Sequence, residues 1–424
     1  MTTKSYSIPY GKSSFPFHLN DSLDTDLYLP REFYADKEDS IVINEAIRNP
    51  LKNIQLKPSI GKETIVAITI NDKTRPVPNN LLFPPLLDYL RQMGIQKDKI
   101  LIIIATGTHV PMPENEFSML LKPEILKDYK VVSHDCGDET NLTFKGTTSR
   151  GTPVFVNKLF DQADLKIVVG DIEPHHFAGF SGGYKSASIG MCGRKTINHN
   201  HALLQDNKSS VGRFEDNPLR QDIEEIGELI GVDLALNAIL NEKKEILHVF
   251  FGKPQDVILA GIKVIRETEL TTIDEPYDLV IASAGGYPKD INLYQAQKAL
   301  THASLFCRDG GTVLLAAACN EGVGSQGYVD FMEGITSFEE ARDKLFKEGF
   351  RVGPHKSFQF GLIAERISYK IKTDIDDAMM NRLLLVKIDD FQEAVNQSIL
   401  SFNSPPRIAI VPFATATIPQ LRRG

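Results

Sequence analysis

Cysteine is scarce in this chain: four residues in 424 (Cys136, Cys192, Cys307 and Cys319), widely spaced and with no CxxC pair. That excludes a disulfide framework or a zinc ribbon and predicts reduced, buried thiols. Long apolar runs are also missing. The longest, 100–105 and 313–319, fall far short of the roughly 20 residues a bilayer crossing needs, so no membrane partner is expected. The opening MTTKSYSIPYGKSSFPF has neither the apolar stretch nor the cleavage site of a secretory signal, and the expected compartment is cytoplasmic. Basic runs end at dipeptides such as Arg422-Arg423 and the net charge is −8, which speaks against nucleic acid as a partner. Neither GxxxxGK[ST] nor HExxH occurs, which removes P-loop nucleotide hydrolysis and the helix-borne zinc-protease pair.

What is present is an ordinary globular composition, 42% hydrophobic and 24% charged, with length for two to three domains. Short runs rich in β-branched residues end abruptly at Gly, Asn, Asp or Pro: 64–70, 100–105, 165–169, 279–282, 313–319, 383–386 and 408–411. They read as strands buried on both faces. Helical patterns lie between them at 78–93, 219–230, 255–269, 294–304 and 338–348. The alternation predicts an α/β protein of two α/β domains with mostly parallel sheets and an active site in the interdomain cleft. The polar stretch 267–276 marks the boundary, giving an N-terminal domain 1–270, a C-terminal domain 276–400 and a segment 401–424 of open membership. Residues 232–252 alternate weakly around Asn241-Glu242-Lys243-Lys244, as an edge hairpin would.

Ligands of open α/β sheets sit beyond the carboxyl ends of the strands, so polar residues just after a strand carry the most weight. Three such loops stand out. NDKTRPVPN carries Asp72, Thr74 and Arg75 before two stiffening prolines, ATGTHVP carries His109, and GDIEPHHFAGFSGGYKSASIG carries His175, His176 and Lys185. Four of the ten histidines (175, 176, 199 and 201) fall within 27 residues, where an even spread would leave fewer than one. Such a cluster suits a metal or acid/base site, although surface or capping histidines would give the same count. The turn Ser181-Gly182-Gly183-Tyr184-Lys185 has backbone N–H groups and an ammonium for a phosphate, or a lysine whose lowered pKa makes it a nucleophile, or simply a solvated lysine. Beyond the boundary, Tyr294, Gln295 and Lys298 open a helix, with Gln295 and Lys298 three apart on one face. Together with Arg75 they suit a small carboxylate, or form a plain amphipathic face.

The runs DKTRPVP, ATGTH, HHFAGFSGGYK, NHNH and GGYPKDINLYQAQK resemble, in order, the nickel-pincer lactate racemase family of 2-hydroxyacid racemases and epimerases. The likeness spans nearly the whole chain and thins after about residue 330. It implies an isomerase whose nickel is held by a pyridinium-3-thioamide-5-thiocarboxylic acid mononucleotide, tethered covalently to Lys185. The metal-ligating histidine maps to His201, with His199 as its competitor, and the proton-transfer histidines to His109 and His175. Asp72, Tyr294, Ser181, Gly182 and Gly183 map to cofactor contacts, and Arg75, Gln295 and Lys298 to the substrate carboxylate. The implied reaction passes hydride reversibly between Cα and the cofactor, giving a flat 2-keto acid between two histidines. The implied partners are a small 2-hydroxy acid and cofactor-biosynthesis proteins. Ile189, His176 and Tyr184 depart from the family pattern and suggest a more polar pocket and substrate. Two other readings stay open: a zinc hydrolase built on the 175–201 histidines, and a small-carboxylate-binding protein without turnover.

Overall fold

A computed structural model describes every residue except 1, 32, 33, 36, 53, 55, 57–59, 76, 242, 269, 350–352, 423 and 424. Pro76, Glu242 and Arg423, which the sequence reading uses in a stiffened loop, a hairpin turn and a basic dipeptide, lie outside the described residues. The chain divides into two compact units, one continuous (Glu32–Thr268) and one split (Met1–Arg31 with Glu269–Gly424). A domain drawn from 1 to 270 therefore differs from the continuous unit by its first 31 residues. The reason is apolar: the opening hairpin, Thr3–Tyr10 against Ser13–Asn20, buries Ile8, Phe17 and Leu19 with Leu279, Ile281, Phe391 and Val395 of the split unit. The coda also joins that unit, because Ile408–Val411 pairs with Tyr277–Ser283.

The continuous unit holds a six-stranded sheet in the order Ile246–Gly252, Leu234–Leu240, Leu165–Asp171, Val66–Asn71, Ile100–Ala105, Lys130–Ser133. All pairings are parallel except that of the outermost strand, Ile246–Gly252, with Leu234–Leu240, the expected edge hairpin. Counted along the chain the order is the doubly wound 3-2-1-4-5-6. Connections run outward from Val66–Asn71 in one direction and then restart on its other side at Leu165–Asp171, so these two strands flank the topological switch point. Apolar residues on both faces explain why the strands read as continuous runs: Val66, Ala67, Ile68 and Ile70 are wholly buried. On one face Ile68 and Ile70 pack with Leu82, Phe83, Leu86 and Leu90 of the helix Asn79–Gln92 and with Ile43 and Ile47 of the helix Asp39–Arg48.

The split unit has a five-stranded parallel sheet, Ser368–Lys372, Cys307–Ala316, Tyr277–Ser283, Ile408–Val411, Thr25–Leu27. Two expectations are corrected here. Residues 383–386 are not a strand: they form the turn after the helix Asp377–Arg382, with Leu384 at φ 59°, and Leu383 and Leu385 are apolar because they are buried there. The strand in that region is Ser368–Lys372, whose alternating exposure hides it from a search for apolar runs. The run 313–319 also leaves the sheet at Ala316, with Cys319 at φ 56°. All four cysteines are free and buried, as their spacing predicts. Among the described residues no helix is long and apolar enough to cross a membrane.

Replacing the wholly buried Ile68 by alanine is expected to lower the free energy of unfolding by about 2–5 kcal/mol in a urea titration. A loss near zero would contradict its place in a packed core.

Candidate functional site

The site grows from the carboxyl ends of the strands flanking the switch point. Asn71, last residue of its strand, donates to Asp171 (3.3 Å) and accepts from the Ser186 hydroxyl (3.1 Å). This places the residue after Lys185 over the switch point. The loop that delivers Lys185 depends on two glycines in the left-handed region, Gly182 (φ 78°) and Gly183 (φ 59°). A Cβ at Gly182 would stand 2.6 Å from Ile172, and one at Gly183 2.9 Å from Ile258. The loop's backbone groups are largely spent inside the fold. Gly183 N–H donates to Asn237 (2.8 Å) and Ser181 N–H to the Glu173 carbonyl (2.8 Å). The Ser181 hydroxyl accepts from Glu173 N–H and donates to the Asp171 carbonyl. Arg220, wholly buried, donates to the carbonyls of Phe180 (2.8 Å) and Gly182 (3.1 Å) and pairs with Glu224 (2.6 Å). The turn is thus clasped from both sides, and the group it presents is the lysine.

Lys185 opens the short helix Lys185–Ser188 and keeps partial solvent access. Its amine has no hydrogen bond or ion pair among the described residues. Dense surroundings, then the charges of Arg75 and Arg220, push it down to about 7, against the pull of Asp171 and Glu173. Near neutral pH roughly half of such amines are unprotonated and nucleophilic. Burial, together with Glu173, raises Asp171 to about 6. The Lys185 charge also acts on His175 and His201. Burial first, and Lys185 second, hold His175 well below the ordinary imidazole value and push His201 down to about 3. Phe177 stands edge-on between these rings, with centroids 4.5 Å from His175 and 5.3 Å from His201. Both imidazoles are neutral, the form that binds metals. His176 stacks on His175 at 4.6 Å, whereas His199 is turned to the Thr152 hydroxyl (2.9 Å) and is exposed.

His109 lies one strand over, in a turn tied to the lysine segment by Gly107 N–H donating to the Gly190 carbonyl (3.1 Å). Its Nδ1 is 2.6 Å from Oδ2 of the buried Asp72, whose other oxygen accepts from the Thr74 amide and hydroxyl. Burial disfavours charge on Asp72, but the hydrogen bonds from His109 and Thr74 outweigh it and hold the carboxyl below its usual range. An ionised carboxylate only accepts, so in the neutral ring the proton sits on His109 Nδ1 and Nε2 carries the lone pair. His175 is wired oppositely: its Nδ1 accepts from Ala178 N–H (3.2 Å), so in the neutral ring the proton sits on Nε2. Arg75 is half-buried beside Thr74.

In the split unit, Asn292 caps the helix Leu293–Phe306, and the loop before the helix Gln326–Phe331 supplies carbonyls of Gly322 and Val323 to the amides of Leu293 and Tyr294. Lys298 donates to Gln295 (3.0 Å), so the two do share a face.

Two family models match the chain: a lactate racemase N-terminal domain over residues 10–212 and a lactate racemase C-terminal domain over residues 273–418. The chain belongs to the lactate racemase family. It is 28% identical to the lactate racemase of Thermoanaerobacterium thermosaccharolyticum over 97% of this chain and 98% of that one. It is 30% identical to the lactate racemase of Lactiplantibacillus plantarum over 80% of each. The structure of the Thermoanaerobacterium lactate racemase apoprotein superposes with a TM-score of 0.84, at 27% identity, covering 98% of this chain and all of that one. A protein of Thermotoga maritima shares the fold alone, with a TM-score of 0.60 at 18% identity over 93% of this chain and all of its own.

As a member of that family the chain is an isomerase, a racemase, and the zinc-hydrolase and non-catalytic readings fall away. Among the described residues no three His, Cys, Asp or Glu side chains converge as a metal-holding group. Of the departures from the lactate racemase pattern, Tyr184 is a packing residue. It is buried, and its ring occupies the space where a Cβ on Gly227 would stand (2.3 Å). Sequence reasoning missed Asn71, Asp171, Asn237 and Arg220. Asp171 and Asn71 could have been found as the polar ends of apolar strands, but nothing local marks Arg220, which sits in an amphipathic helix like any surface arginine.

Arg220→Met leaves Glu224 and two loop carbonyls buried without their donor, and is expected to cost roughly 3–5 kcal/mol in unfolding free energy. Wild-type stability in this variant would show that the clasp contributes nothing.

Proposed function

We propose that the chain racemises or epimerises a 2-hydroxy acid, with Lys185 as the covalent anchor of a nickel-pincer nucleotide. The observation that carries this reading is an unpartnered amine near neutrality, close to a neutral histidine, on the loop the family motif would use. These residues fit the group: the unprotonated amine can displace a leaving group from an activated acyl-type carbon, losing a proton as the amide-type bond forms, and a single protein imidazole, His201, would suffice for a metal whose other donors belong to the organic cofactor. When bound, the cofactor supplies a reversible hydride acceptor, which the protein lacks. Ser181, Gly182 and Gly183 shape its anchor. The likeness to two lactate racemases makes lactate the first substrate to test, with nickel supplied and the cofactor-making proteins present. A cytoplasmic setting is part of this reading.

The chain's own groups divide the proton work. His109 Nε2 takes the substrate hydroxyl proton, and Asp72 stabilises the imidazolium that results, in the manner of an acid-oriented base. His175 hydrogen-bonds an oxygen turned toward it through Nε2–H while its ring is neutral, the form that burial favours, and exchanges a proton with that oxygen as the imidazolium/imidazole pair in the Nδ1–H tautomer. Arg75 in the continuous unit is a carboxylate anchor by charge-assisted hydrogen bonds. In the split unit Gln295 and Lys298 have the same role, and Tyr294 contacts cofactor.

The test is protein co-expressed with the cofactor-making proteins, followed by intact mass, nickel content and chiral chromatography of lactate. Lys185→Ala is expected to lose both the added mass and the nickel. His109→Ala and His175→Ala should keep nickel near the wild-type level and lose turnover in both directions by roughly 10²-fold or more. Cofactor mass retained without Lys185 refutes the anchor, and normal turnover in either histidine variant removes it from the acid/base role.

A further inference from the structure

One buried lysine is used by nothing above. Lys356, in the first turn of the helix His355–Ala364, is 2% exposed. Its ammonium donates to the Gln297 side-chain oxygen (2.7 Å), whose amide nitrogen is committed to Thr301 (2.8 Å). It also stands over the Tyr294 ring, 4.4 Å from the centroid, while His355 meets the same ring edge-on at 6.0 Å. No carboxylate answers it among the described residues. Burial comes first and the neighbouring Lys298 charge second in pushing it down to about 7. The amino terminus of its own helix adds positive potential of the same sign. A buried cation opposed by desolvation, by a second cation and by a helix end is unfavourable where it stands, and an anion nearby relieves all three.

We propose that Lys356 is a positioning residue for the substrate carboxylate: tethered by Gln297 and seated over the Tyr294 ring, it adds the second positive charge beside Lys298. The helix Leu293–Phe306 is suited to this, because Tyr294, Gln297 and Lys298 are three and four residues apart and share one side. Gln297 is then a tether for the ammonium, and Gln295 and Lys298 meet the anion. The inference rests on the reading of Gln295 and Lys298 as carboxylate contacts, and it adds a residue that the motifs do not single out.

The test uses holoenzyme and L-lactate. Lys356→Met keeps the length of the side chain and removes its charge. KM is expected to rise about tenfold, the order of one charge–charge attraction to the substrate carboxylate in a partly desolvated site, with kcat within twofold, and with nickel content and thermal midpoint near wild type. Gln297→Leu, which removes the tether of the ammonium, should raise KM similarly, and the double variant should add little to either. Lys356→Gln, which preserves a hydrogen bond to Gln297 but no charge, serves if the methionine variant does not fold and is expected to show the same rise. An unchanged KM, a fall confined to kcat, or additive effects in the double variant would overturn the positioning role. Loss of nickel in Lys356→Met would assign the residue to cofactor binding and equally overturn it. If wild-type holoenzyme turns over lactate and Lys356→Met matches it, this inference alone fails; if wild type turns over no 2-hydroxy acid, the underlying reading fails with it.

Discussion

The constraint on which the site depends is an amine kept without a partner. A buried ammonium is costly unless paired, and Lys185 meets two arginine charges rather than a close carboxylate. The fold sustains that arrangement by rigidity. Gly182 and Gly183 adopt conformations other residues resist, Arg220 grips the carbonyls on one side of the turn, and Asn237 and Glu173 take amides on the other. A lysine on a looser loop would swing to water and recover its ordinary basicity. Stability of the clasp and reactivity of the amine are therefore one property seen from two ends.

The same economy separates the two histidines. Both lie on loops after parallel strands, yet each ring is assigned its tautomer by what touches Nδ1. Asp72, ionised, holds the proton of the neutral His109 ring on Nδ1 and leaves Nε2 an acceptor; a backbone N–H leaves the proton of the neutral His175 ring on Nε2, a donor. Sheet order supplies the rest of the logic. The Asp72 and His175 loops leave the strands on either side of the switch point, the one location in a doubly wound sheet where neighbouring loops part and leave a crevice.

Much of the fold was readable because parallel strands covered on both faces advertise themselves as apolar runs. Ile100–Ala105 and Ile408–Val411 are examples. The reading failed where burial and strand pairing part company. Leu383 and Leu385 are apolar for packing in a turn, and Ser368–Lys372 is a strand at a sheet edge with alternating exposure. The opening hairpin was misplaced for a related reason: one sequence shows that Ile8 and Phe17 want burial but not against what. Within the site, glycines, histidines and Lys185 were legible from residue type and position after strands. The partners that tune them were not. Arg220, Asn237 and Lys356 are ordinary polar residues in sequence, and only the fold makes them wholly or almost wholly buried.

The central claim is the state of one nitrogen, so its titration is the direct test. Cofactor-free protein is pulsed with a trace of acetic anhydride across pH 5 to 11, and acetylation at each lysine is read by peptide mass spectrometry. Lys185 should reach half its maximal reactivity near pH 7, while lysines on the surface follow at about 10.4. Co-titration of Lys185 with the surface lysines would contradict the account.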